Sequence, residues 1–218
     1  MSTIFIVFEV IGTIAFAISG VMEGFQHDMD LFGVTMLGLT TAVGGGVLRD
    51  VIIGNTPPVA FRTPYCAVIA IIVSLVGFLI FYRKGEFTGK AKRRVENLLF
   101  YADTIGLAAF TVLGIEATMR FDAAYNAAVL LFVGVITGIG GGILRDVLAE
   151  TIPYVFKKHI YALASILGAV VMIVMLRFAS EGISALCGFA AVIALRILAA
   201  SLNWNLPRAR RKTSSANP

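Results

Sequence analysis

Two copies of one pattern hold the residues best suited to chemistry in this chain. Gly44-Gly45-Gly46-Val47-Leu48-Arg49-Asp50-Val51 returns 96 residues later as Gly140-Gly141-Gly142-Ile143-Leu144-Arg145-Asp146-Val147. Each copy joins three poor helix formers to an arginine and an aspartate, which are expensive beside lipid. Adjacent positions on a helix project about 100° apart. Arg49 and Asp50, and Arg145 and Asp146, are therefore expected to find partners on another helix, in a lipid phosphate or in water rather than in each other. Glu9 and Asp103 are the candidates, and the two are equivalent in the repeat described below. Such a charge network would shape or gate a pore. The competing reading is an interfacial arginine that snorkels to head groups, with the aspartate as local counter-charge.

The glycine triplets have two readings as well. Three glycines in a row should bend or locally unwind a helix, and inside a membrane unwound backbone is tolerated only against protein or a water-filled cavity. Carbonyls freed near Thr40, Thr41 and Val43, and near Ile136 and Thr137, would suit a weakly held cation. Glycine also lets neighbouring helices approach closely. The presence of Gly44, Gly45, Gly46 and Gly140, Gly141, Gly142 at matching places favours a permeation role.

Other polar residues carry less. Glu23 and Glu116 read as interfacial, Arg196 as a snorkelling residue near a helix end, and Cys66 and Cys187 as small packed hydrophobes. His27-Asp28-Met29-Asp30 reads as a solvated turn rather than a metal site. Two histidines, no nucleophile elbow and no phosphate-binding or dinucleotide loop give an enzyme no support, and no cofactor or resident metal is expected.

The elements that would position these residues are membrane helices. The mean hydropathy is +0.89. Only 14% of residues are charged, against about 25% in soluble domains. Seven apolar segments approach the roughly 20 residues a bilayer requires: 4–22, 31–53, 64–82, 102–119, 124–148, 160–178 and 183–202. Ile11-Gly12-Thr13-Ile14-Ala15-Phe16 parallels Ile105-Gly106-Leu107-Ala108-Ala109-Phe110, and Tyr65 parallels Tyr161. The chain thus divides into a three-helix repeat (4–82), a basic cytoplasmic linker (83–101), a second three-helix repeat (102–178), a seventh helix (183–202) and a basic disordered tail (203–218). An odd number of spans per repeat inverts the second copy, so the fold class is an all-α membrane protein with two inverted repeats plus one helix.

The basic residues set the orientation. With the N-terminus outside, twelve Lys and Arg residues fall in the inner loops and tail, against Arg62, Arg120 and Arg177 outside. The formal charge of +5 is then a matter of topology and of anionic lipid head groups, not of nucleic acid. Inverted repeats with broken helices are also a carrier plan, so a secondary transporter of a small amino acid is the main alternative. A purely structural membrane protein is the third.

Two three-helix repeats, Gly-Gly-Gly-x-Leu-Arg-Asp in the second helix of each, and a seventh helix together resemble the prokaryotic trimeric intracellular cation (TRIC) channels. The resemblance covers residues 4 to 202. It implies a homotrimer in the bacterial inner membrane, with one pathway for monovalent cations, chiefly potassium, bent around the glycines of each protomer. The Lys-Glu-Val motif that the family's animal members use for phosphoinositides is missing here.

Overall fold

The computed structural model describes residues 2–83, 90–122, 124, 126–157, 160–202 and 204. Among these the chain is helical throughout, with helices α1 (Thr3–Gln26), α2 (Leu31–Ile52), α3 (Val59–Arg62), α4 (Tyr65–Tyr82), α5 (Lys90–Phe121), α6 (Ala127–Leu148), α7 (Tyr154–Lys157), α8 (Tyr161–Met175) and α9 (Glu181–Ser201). Six of them are long and apolar enough to cross a membrane.

The repeat seen in the sequence governs how the helices begin and end. Asp30 caps α2 by accepting from the Gly33 N–H at 2.7 Å, and Asn126 caps α6 by accepting from the Val129 N–H at 3.0 Å. Such caps satisfy N–H groups that the first turn leaves open. Beyond the C-termini, Gly54 and its equivalent Glu150 take φ of +76° and +55°, the left-handed turn that commonly ends a helix. Their shared function is to reverse the chain into α3 and α7, two short helices not expected from the sequence.

The core lies between the repeats. α1 and α5 run antiparallel, with Phe16 stacked on Phe110 at 5.2 Å between ring centroids. α2 and α6 cross where a Cβ on Gly45 would collide with the Thr137 carbonyl oxygen, and one on Gly141 with the Thr41 carbonyl oxygen. Gly44 faces Leu144 as Gly140 faces Leu48. Exchanging 44 with 140, 48 with 144, 41 with 137 and 45 with 141 maps this crossing onto itself, as an inverted two-fold repeat requires. α4 covers α1 and α2, α8 covers α5 and α6, and α9 packs on α8 and α5.

Three expectations change. Both glycine triplets lie inside uninterrupted helices, so the expected local unwinding does not occur. They are unbroken because the glycines sit at a tight helix crossing, where close approach replaces the solvent or cavity that unwinding needs. The segment expected as a linker is helical from Lys90 onward, in a helix of 32 residues. Val95 and Leu99 drive the extension, packing one turn apart against Val21, Met22 and Val34. The sixth apolar segment forms a helix of only 15 residues, about 22 Å long, and Leu176, Arg177 and Phe178 continue it as a turn. Residues 84–89, Lys158, His159 and the tail from 205 onward lie outside the described residues.

Candidate functional site

The two Arg-Asp pairs build two related but unequal sites. In each, contrary to the angular expectation, the arginine does pair with the aspartate beside it. Arg49 donates from Nε to Asp50 Oδ1 at 2.9 Å, and Arg145 from Nε to Asp146 Oδ1 at 2.8 Å. The cause is the second carboxylate oxygen. Asp50 Oδ2 accepts from the Val59 N–H (2.8 Å) and Asp146 Oδ2 from the Tyr154 N–H (2.6 Å). Each aspartate is thereby turned along its helix toward the returning chain, and the long arginine reaches it.

The Arg145 site is closed. Arg145 is 1% exposed. Besides Asp146, its Nη1 donates to Asp103 Oδ1 at 2.8 Å and to the Ser19 hydroxyl. Asp103 also accepts from the Tyr161 hydroxyl at 3.3 Å and from Arg196 Nη2 at 3.4 Å. The Arg196 guanidinium lies 4.6 Å from the Tyr161 ring centroid and 4.9 Å from that of Phe100, and its Nε donates to Thr104 Oγ1 at 3.2 Å. Two arginines thus face two carboxylates, and every charge is paired and hydrogen-bonded, the condition for burying ions without a large penalty. Arg196 does not snorkel. α9 carries it into the protein, where Asp103 and two aromatic faces replace the head group.

The Arg49 site is open. Arg49, Asp50, Glu9, Tyr65 and Glu116 line a cavity of about 400 Å³ that also reaches Phe110, Leu113 and Arg120. Glu9, expected as the partner of Arg49, instead accepts from the Tyr65 hydroxyl and, at 3.5 Å, from the Cys66 thiol. Among the described residues Glu9 and Arg49 form no ion pair. The repeat explains the difference, because Ser19 and its equivalent Leu113 face the two arginines, one with a hydroxyl and the other without. The second arginine of this site, Arg120 on α5, pairs with Glu116 at 3.4 Å, whereas α9 brings Arg196 to Asp103 in the other.

Glu23 and Glu116, expected at the interface, are buried within the protein. Glu116 pairs with Arg120 at 3.4 Å, and Glu23 lies 3.8 Å from His27. Cys66 has a polar contact, in place of the purely apolar packing expected. The hydroxyls of Thr41 and Thr137 bond back to Leu37 and Val133 carbonyls at 2.6 Å, a common way to satisfy a buried hydroxyl on a helix. Thr40 is half-buried. Between the sites stands the Phe16–Phe110 stack. Phe110 lines the Arg49 cavity, while Phe16 lies against Gly106 and Gly141, beside the Arg145 site.

Sequence reasoning brought Asp103, Arg145 and Asp146 together. It missed Ser19, Thr104, Tyr161, Arg196 and the two phenylalanines. The Tyr65/Tyr161 and Phe16/Phe110 repeat pairs were the available signal for three of these.

Comparison with known proteins accords with this geometry. A family model described as Glycine transporter matches the chain twice, at residues 6–82 and 100–177. The UPF0126 inner membrane protein YadS of Escherichia coli (strain K12) is 35% identical over 198 residues, covering 91% of each chain. A solved structure addressing conductance through TRIC cation channels is 34% identical, with a TM-score of 0.80 over 95% of this chain and 98% of the other. A prokaryotic TRIC channel in 0.5 M KCl is 30% identical, with a TM-score of 0.83 over 94% of this chain and 100% of the other. The inverted repeats, the doubled glycine crossing and likeness along nearly the whole chain place this protein in the trimeric intracellular cation channel family.

Proposed function

We propose that the protein is one subunit of a homotrimeric, passive, potassium-conducting channel of a bacterial inner membrane, with a pathway through each protomer. The reading rests on one arrangement. Two charge-lined sites lie toward opposite ends of the antiparallel α1–α5 pair, with a single aromatic stack between them. The likeness to TRIC cation channels supplies the substrate class.

In this reading cations enter the Arg49 cavity, where the Glu9 and Glu116 carboxylates favour them. They pass the Phe16–Phe110 stack beside the crossing of Gly44–Gly46 with Gly140–Gly142, and leave through the Arg145 site. Carbonyl and hydroxyl oxygens of Thr40, Thr41 and Thr137 border the passage, and the paired glycines serve as the pivot between repeats. In this reading the pathway is closed where Arg145 is buried and tied to Asp103. Opening requires that tie to loosen and the aromatic stack to part. The basic side of the chain faces the cytoplasm and its anionic lipids, with the N-terminus outside.

A second reading, a secondary carrier of a small amino acid, is favoured by the description of the matching family model and by the inverted repeats. Planar-bilayer recording separates the two. The channel gives discrete unitary potassium currents, whereas a carrier gives saturable uptake of labelled glycine with no unitary current.

A further inference from the structure

We infer that a second cavity, at the opposite end of the α1–α5 pair from the Arg49 cavity, is a binding site for a small alkylammonium ion. It has a volume of about 620 Å³, within the range of small-molecule pockets. It lies between Gln26 at the end of α1, the end of α9, the stretch of α5 from Glu96 to Tyr101, and Tyr154 at the start of α7. Nothing in it depends on whether the protein conducts ions.

The charge of this cavity has one sign. Glu96 is the only charged group among the described lining residues, and it joins none of the ion pairs among the described residues. Arg93 and Arg94 lie exposed just before it on α5 but do not line the cavity. Arg196 is 4% exposed and committed to Asp103 and Thr104. His27, next to Gln26, bonds through Nδ1 to the Glu23 carbonyl. The helix ends act in the same direction as Glu96. α1 and α9 both bring their C-termini here, the negative end of the helix dipole. The N-terminus of α7 has the opposite sign, and its Tyr154 N–H is given to Asp146 at 2.6 Å.

A negative field alone suits any cation, and the walls narrow the class. Phe100, Tyr101 and Tyr154 line the cavity with aromatic rings, and the first two meet edge to face at 5.3 Å. Phe100 already holds one cation, the Arg196 guanidinium, at 4.9 Å. Aromatic faces beside a carboxylate favour an alkylated ammonium ion. Potassium needs several close oxygen ligands in place of its water, and one carboxylate in a space of this size does not gather them. An anion would meet Glu96 and two helix C-termini. An amino acid would find no arginine or lysine among the lining residues for its carboxylate. Gln26 and Asn97 leave amides for a hydroxyl on the ligand, as in choline.

Equilibrium dialysis of radiolabelled choline against the purified full-length protein, in a non-ionic maltoside detergent, tests this. Saturable binding is expected. The neutral isostere 3,3-dimethyl-1-butanol should compete about tenfold more weakly than unlabelled choline, and potassium chloride no better than sodium chloride at equal ionic strength. Glu96→Gln and Tyr101→Ala, both at exposed positions, should each weaken binding about threefold or more. Phosphocholine separates two sources of the same ammonium: tighter competition than choline assigns it to a lipid head group, weaker competition to a free amine, and either upholds the site. Absence of saturable choline binding overturns the proposal. So does the isostere competing as well as choline, which marks an apolar groove, or potassium displacing choline selectively, which marks an inorganic cation site. Binding unchanged in both variants places choline elsewhere and overturns it too. Potassium currents without choline binding would sink this inference alone, and binding without currents would sink the channel reading alone.

Discussion

The behaviour of an ionisable side chain in this protein depends on how completely its site is built. Asp103 balances two arginines in a sealed pocket, while Glu9 meets two neutral donors at the edge of a cavity. Removing one partner from a buried, fully paired cluster strands the others. Asp103→Asn should therefore cost about 3–5 kcal/mol, seen as a large drop in the thermal unfolding temperature of the detergent-solubilised protein. Glu9→Gln should cost no more than about 1.5 kcal/mol. Equal losses would show that the two sites are equally closed. Sequence equivalence pointed to Glu9 and Asp103 together. It could not separate them, because the deciding partners, Ser19 and Arg196, lie on helices whose facing the pattern does not fix.

At the scale of elements, the glycines act through the space they leave rather than through backbone freedom. A Cβ on Gly45 meets the Thr137 carbonyl oxygen, a backbone atom that cannot turn aside, whereas one on Gly46 meets nothing nearer than Arg49 Nη2 at 3.8 Å. Overpacking typically costs about 1–3 kcal/mol, and replacing an unconstrained helical glycine by alanine gains up to about 1 kcal/mol. Gly45→Ala should lower thermal stability and Gly46→Ala should hold or raise it. Reversal of that order, measured by unfolding in detergent, would contradict the packing role. The helices, their repeat and the inversion were legible because apolar runs and doubled motifs are local patterns. The unbroken path of α2 and α6 was not, since it depends on another helix occupying the groove. The early start of α5 was hidden for the same reason, as the docking of Val95 and Leu99 outweighs a polar composition.

For the whole molecule, α9 is what makes two nearly equivalent halves unequal. Carrying Arg196 to Asp103 alone, it holds one site shut while the other stays open, and the Phe16–Phe110 stack divides them. In the proposed pathway this stack would act as an aromatic constriction that gates by excluding water. Phe110→Ala should therefore increase open probability or conductance in planar bilayers, and unchanged currents would exclude the stack as a barrier. The most direct measurement is single-channel recording of the purified protein under a potassium chloride gradient, paired with labelled-glycine uptake by the same preparation in liposomes. Discrete unitary currents reversing toward the potassium equilibrium potential are the predicted result. Glycine accumulation without any unitary current would contradict it.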